Sequence, residues 1–247
     1  PGRTKLEANG WLTLGADFGF SGKVLVASNQ PSGMVKWLTG QSPEAIRQLP
    51  ALGFDALVHL TPSGQVLEKM ELALGNTTLT GRMERSNSGA RPSILLALKG
   101  GDTSLDDVLS VAGLFKRKNG SSAISGEDLD LTFAAGPVSA FGMETEQLDV
   151  ALRIKDDKLD IDKLLVTGLA ESSLSATAKI TGFPASMQGT ADVSLLTPDA
   201  SSILLMLSER FPAMTAFGAL SDRSLLYPGL FSDAKIDIVA SLLGPAY

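Results

Sequence analysis

Between Leu148 and Ile180 apolar and polar residues alternate in several runs with a period of two. Leu148, Val150, Leu152 and Ile154 alternate with Asp149, Ala151, Arg153 and Lys155. Successive side chains of a strand point to opposite faces, so one row meets an apolar layer and the other meets water. Asp156-Asp157-Lys158 supplies a tight polar turn, and alternation resumes with Leu159 and Ile161 set against Asp160 and Asp162. The pair reads as a hairpin. A third strand follows Gly168, with Leu174, Ala176, Ala178 and Ile180 on one side, and Gly182-Phe183-Pro184 closes it. Val193 and Leu195 mark a fourth.

The same period of two recurs at Leu129, Leu131 and Phe133, at Ile94, Leu96 and Leu98, at Ile236 and Ile238, and less cleanly from Trp11 to Leu14. Frequent punctuation by 25 Gly and 12 Pro favours short strands over long helices. The expected chain is mainly β, a succession of antiparallel strands interrupted by short helices. Helices are expected near 32–38, 43–49, 104–113 and within 198–227. Ser104 is placed to cap Leu105, Val108, Leu109 and Ala112, which recur at helical spacing, while Asp106 and Asp107 suit the first turn. Thr197-Pro198-Asp199 reads as an equivalent start leading into Ile203, Leu204 and Leu207, with Pro198 at the first helical position. Ser42-Pro43-Glu44 opens another, carrying Ile46 and Leu49.

An internal repeat is visible. Leu79 and Leu174, Ser104 and Asp199, Val108 and Ile203, and Leu109 and Leu204 are each separated by 95 positions. The chain therefore divides into a first β-rich unit over 1–113 and a second over 114–247, expected to form one continuous structure. The strands between Trp11 and Val26, and the one begun at Lys235 to Leu242, look cut out of a longer pattern.

Chemistry is sparse. A net charge of -6 argues against a binder of nucleic acid, which needs a surplus of Lys and Arg. The absence of cysteine excludes disulfides, thiolate zinc sites and thiol catalysis. His59 is the only histidine and has no Gly-x-Ser-x-Gly or His-Glu-x-x-His around it. Asp156, Asp157, Asp160 and Asp162 lack the central Gly and final Glu of a calcium loop, and follow the outward positions of a strand. The same carboxylates could be posed as a glycosidase pair. Gly15, Gly19 and Gly22 do not form a dinucleotide fingerprint. Lys116-Arg117-Lys118 reads as a solvated basic loop or a lipid-headgroup contact, and Asn76 and Asn119 sit in glycosylation-type triplets. No catalytic residue, cofactor or metal ligand is expected. The weakly charged region from Phe211 to Phe231, with Met214, Phe217, Leu220, Leu225, Leu226, Tyr227 and Leu230, reads as packed core, or else as a docking surface for a neighbouring repeat, a partner or a membrane.

Several runs carry a family likeness: Phe54 to Leu60, Leu72 to Gly81, Ala90 to Leu98 and Leu105 to Leu109, followed by Leu148 to Ile180. Across about Val24 to Thr197 they resemble the AsmA-like proteins of Gram-negative bacteria. That resemblance implies an elongated, curved antiparallel sheet built of repeated multi-strand plus short-helix units. It implies a periplasmic location in a protein held to the inner membrane by an N-terminal helix, which this sequence lacks. It also implies a non-enzymatic part in outer-membrane biogenesis, with phospholipid, neighbouring repeats of the same polypeptide and envelope assembly proteins as partners.

The candidate lining of an apolar groove is Leu129, Leu131, Phe133, Leu148, Val150, Leu152, Ile154, Leu159, Ile161, Leu174 and Ile180. The plainer account of the same row is a closed core sandwiched by the short helices, because any such core produces this alternation. Three readings of function follow: shielding or conduction of acyl chains, a scaffold for outer-membrane protein assembly that binds along an edge strand, and a carbohydrate-active β protein.

Overall fold

The computed structural model describes residues 3–15, 17–40, 44–47, 49–112, 126–140, 143–184, 186–210 and 215–242. The first half contributes β1 (Thr4–Thr13), β2 (Gly19–Ser28), α1 (Pro31–Thr39), α2 (Glu44–Arg47), β3 (Leu52–Thr61), β4 (Gly64–Leu74), β5 (Thr77–Ser86), β6 (Ser93–Gly100), β7 (Thr103–Ser104) and α3 (Leu105–Ala112). The second contributes β8 (Asp128–Ala135), β9 (Val138–Ala140), β10 (Met143–Thr145), β11 (Gln147–Lys155), β12 (Lys158–Leu169), β13 (Ser172–Thr181), β14 (Gln188–Asp199), α4 (Ser201–Arg210), α5 (Thr215–Leu226) and β15 (Ser232–Leu242).

Twelve strands form one curved sheet in the order β1-β2-β3-β4-β5-β6-β8-β11-β12-β13-β14-β15. Every neighbouring pair is antiparallel except β6 and β8, which run parallel. Two antiparallel meanders, β1 to β6 and β8 to β15, thus meet at that single contact and share one sheet. A second sheet of three short strands, β10-β9-β7, lies where α3 begins.

Tight turns hold the register. Asp156 and Asp157 have φ of 50° and 60°, the left-handed pair that a two-residue hairpin turn requires, and Lys155 faces Lys158 across it. Ala170 and Glu171 turn β12 into β13 with the same handedness. Two strands carry irregularities that re-aim their side chains. In β4, Leu67 faces Met83 and Met70 faces Gly81, so residues three positions apart share a face, with Lys69 at φ 48° between them. In β12, Ile161 and Leu164 stand in the same relation to Ala178 and Ala176. An extra residue of this kind bends a strand and sharpens its twist.

The register places each described α-helix at one end of the strands, at the exits of β2, β6 and β14. Pro31 opens α1 and Gly40, at φ 75°, closes it by donating its N–H to the Lys36 carbonyl. Ser104 Oγ accepts the Asp107 N–H at the start of α3, so the cap expected from the sequence forms. The start expected at Thr197 does not. Instead β14 continues through Asp199, whose Oδ1 accepts the Ser201 N–H at 2.9 Å, and α4 begins there. Thr197 is held elsewhere: it faces Ala234 in the sheet and accepts a 2.7 Å hydrogen bond from the buried Ser172 hydroxyl. The first half has a counterpart, for the buried Thr77 Oγ1 accepts the Ser104 N–H at 2.7 Å. In both halves a hydroxyl at the start of one strand fastens the chain as it leaves the next strand.

The core is shallow and lies mainly at the helix end. Val35, Ile46, Leu49 and Leu74 are buried together, with Val108 of α3 packed against them. Leu79, Phe133, Ala135 and Val138 form a second cluster, joined by Leu105 and Val108. The region from Phe211 to Phe231 departs from the expected packed core. Leu225, Leu226, Tyr227 and Leu230 are 70%, 72%, 64% and 54% exposed. Phe211 and Met214 fall outside the described residues, as do the basic triplet at 116–118 and Asn119. Among the described residues no helix is long and apolar enough to cross a membrane.

Candidate apolar binding face

Strand register brings the candidate lining residues to one side of the sheet. Ile154 faces Leu129 on β8 and Leu159 on β12, and Leu159 faces Ile180 on β13. Leu152 faces Leu131 and Ile161. Val150 faces Phe133, and Leu148 faces Val166, which in turn faces Leu174. Paired residues in a sheet point the same way, so these side chains form one surface.

That surface extends beyond the sequence reading. Through the parallel contact, Ile94, Leu96 and Leu98 of β6 align with Leu129, Leu131 and Phe133. Further on, Phe54, Ala56 and Val58 of β3 face Val26, Val24 and Gly22 of β2. The row ends at Leu6 and Leu12 on β1 and at Ile236 and Ile238 on β15. The irregularity in β4 hides the connection from sequence, because strict alternation across Leu67 to Leu72 would put Met70 on the wrong side.

Burial follows the same division. Along β13, Ala176, Ala178 and Ile180 are partly or fully buried while Ser175, Thr177 and Lys179 are exposed. Toward the hairpin end, Ala56, Val58 and Met70 pack against Phe20, Val24, Phe54, Leu60, Leu67, Leu96 and Leu98, all strands of the same sheet. The helices reach only the opposite end of the row. Met70 and Leu98 flank Gly81, which faces both. A Cβ at Gly81 would collide with the Ala97 carbonyl, so only glycine allows this close approach.

One ion pair interrupts the apolar side. Arg85 faces Ile94, and its Nη2 donates to Glu127 Oε1 at 2.7 Å. The Glu127 carboxylate is buried, and Arg85 Nε and Asp128 Oδ1 are buried without a hydrogen-bond partner.

Charges gather on the other side. Arg153 grips Asp162 through two 2.9 Å hydrogen bonds and Lys163 reaches Asp149 at 2.8 Å, while between the turns at the hairpin end Arg91 reaches Asp157 at 3.3 Å. The Lys163 hydrogen bond holds the Asp149 carboxyl below its ordinary pKa against the opposing effect of burial, with lesser help from Gln147 and from the ammonium charge of Lys163. These contacts account for much of the acidic run noted in the sequence. Among the described residues no group of three or more His, Asp or Glu side chains could hold a metal ion. A depression of about 810 Å³ lies on this charged side, floored by Ala97, Thr132 and Ala151 and flanked by Arg82, Asp149 and Lys163. It is open to solvent, with an apolar floor and charged side chains at its flanks. His59 Nδ1 lies 2.9 Å from Ser21 Oγ, a contact between two residues that face each other directly across β3 and β2. The pair is exposed, and sequence spacing gave no sign of it.

Comparison with known proteins finds no family model, no curated protein and no solved structure that matches the chain.

Proposed function

We propose that this chain is a periplasmic, non-enzymatic module of an AsmA-like envelope protein, and that its apolar face shields or conducts phospholipid acyl chains between the two membranes. The observation that carries this reading is the apolar row that crosses all twelve strands of the large sheet, interrupted at Gln65 and at the Arg85–Glu127 pair, with the described helices packed at one end of the strands. An apolar sheet face must be covered by a second layer, by the sheet itself, as around Ala56, Val58 and Met70, or by a ligand. Each methylene removed from water contributes about 0.8 kcal/mol, so a continuous lining holds a hydrocarbon tail without any directed chemistry. Twelve strands at about 4.8 Å spacing give a face about 53 Å across, longer than the roughly 30 Å hydrocarbon core of a bilayer.

The test is mass spectrometry of lipids extracted from gently purified protein, compared with Leu152→Asp. Co-purifying phospholipid that disappears in the variant supports the reading. Protein that emerges lipid-free in every mild preparation sinks it.

A second reading is a scaffold that recruits a partner strand during outer-membrane protein assembly. It is favoured by β1, an edge strand exposed along its whole length, with Trp11 84% exposed. Photo-crosslinking from position 11 would capture a protein partner in this case and lipid or nothing in the first.

A further inference from the structure

The outermost strands of the large sheet, β1 and β15, are each paired on one side only. Both run away from the helix end, since Thr4 starts opposite Ser28 and Ser232 opposite Asp199, the residues that lead into α1 and α4. We propose that β15 of one copy of this chain pairs in parallel with β1 of the next, so that copies join edge to edge into a longer sheet. The proposal does not depend on what the apolar side carries, and it names a second copy as the strand that covers β1.

The backbone groups on the two edges fit this joint. The Asn29 N–H donates to the Arg3 carbonyl, and bonding in an antiparallel pair alternates, so Thr4, Leu6, Ala8, Gly10 and Leu12 turn their backbone polar groups outward from β1. On the other edge, a Cβ at Gly189 would lie 2.8 Å from the Ile180 Cα, the close approach of a pair that exchanges no hydrogen bonds. Gly189 therefore bonds to β15 at Leu242, which leaves Lys235, Asp237, Val239 and Ser241 turned outward. Outward-bonding residues thus lie on the apolar side of β1 and on the charged side of β15. A parallel joint needs that offset if the two apolar sides are to stay together. The contact of β6 with β8 already has it, for the Asp128 N–H donates to the Pro92 carbonyl while Asp128 faces Ser93.

Side chains select the register. With the strands fully overlapped, Thr4 meets Ser232 and Thr13 meets Ser241. Lys5 then meets Asp233, Glu7 meets Lys235 and Asn9 meets Asp237, while the strongly exposed Trp11 and Val239 cover each other. On the apolar side Leu6 and Leu12 meet Ala234 and Ala240, and Ala8 and Gly10 meet Ile236 and Ile238, so bulk faces space at each position. A shift of two residues, the smallest that keeps the sides matched, sets Lys5 against Lys235 and Glu7 against Asp237 in one direction, and Glu7 against Asp233 in the other. Like charges directly opposite are destabilising, so the overlapped register is preferred. Each joint leaves a further β1 and a further β15 free, which makes the assembly open-ended.

Sedimentation velocity of the whole chain over a wide range of concentrations tests this, with Glu7→Lys, Lys235→Glu and Ala8→Pro as variants. The two charged side chains are exposed, and an unchanged circular dichroism spectrum confirms that each variant folds. The wild type should sediment faster as concentration rises. Each charge variant alone sets like charges opposite in the joint and should associate at least about five-fold more weakly. An equimolar mixture of the two should regain wild-type association, because each reversed charge then meets its opposite on the other variant. Ala8→Pro removes an N–H that points away from β2 and should abolish association. A wild type that stays monomeric throughout overturns the proposal. So does association that any of the three variants retains in full, or that the mixture fails to regain, because another surface or another strand would then be the contact.

Discussion

Arg85 on β5 and Glu127 at the foot of β8 form a 2.7 Å ion pair on the predominantly apolar side of the sheet. The pair ties the end of one meander to the beginning of the other, beside the parallel contact. Its strength comes from burial: the Glu127 side chain is 5% exposed, so its carboxylate has little water to fall back on.

Glu127→Ala should therefore destabilise the fold. Removing one member of a buried pair typically costs about 3–5 kcal/mol, and the partial exposure of Arg85 places this case nearer 2–3. Urea denaturation gives the value directly. The double variant Arg85→Met/Glu127→Leu should recover most of the loss, since hydrocarbon of similar size suits this face. A midpoint for Glu127→Ala equal to wild type would show the pair to be idle.

Gly81→Val should lower stability by about 1–3 kcal/mol, because the added carbon meets the backbone of β6, which cannot swing aside as a side-chain tip can. Gly218→Ala is the contrasting case: nothing lies within 4 Å of a Cβ there and the residue sits inside α5. That change should stabilise the protein by up to about 1 kcal/mol through helix propensity. Thermal melts of the two variants should move in opposite directions.

Asp149 makes the stability pH-dependent with a definite sign. Its folded-state pKa lies below its unfolded value because Lys163 donates to the charged form. The unfolded chain therefore takes up this proton first as pH falls. The contribution is complete above about pH 4 and fades as pH drops through the depressed folded value. With Lys163 half exposed, the pair contributes about 0.5–1 kcal/mol. The stability gap between wild type and Asp149→Asn should be present at pH 6 and shrink toward pH 2. A gap that stays constant down to pH 2 would remove the ion pair as its cause.

Much of the β architecture was legible because alternation is strict where strands are regular. Leu148 to Ile154 and Leu174 to Ile180 occupy the strands and the face that their spacing implies. The hairpin turn at Asp156-Asp157 was legible too, through its polar residues. Ala170-Glu171 makes the same turn with residues that do not advertise it. The irregularity at Lys69 concealed the first half of the apolar face, since side chains there skip a position. The start of α4 was misplaced because Thr197 spends its hydroxyl on Ser172, a contact made across the sheet that local sequence cannot announce. The ion pair of Arg85 with Glu127 and the contact of Ser21 with His59 join residues 42 and 38 positions apart, with no spacing signature at all.

The parallel contact between β6 and β8 has a bearing on how such a chain can grow. A block of strands spliced in at that joint would start in the same direction and present its oil on the same side as its neighbours. Each strand added would widen the protein by about 4.8 Å without turning it over. Reach thus becomes a quantity that gene duplication can adjust in whole steps, leaving the surface chemistry untouched.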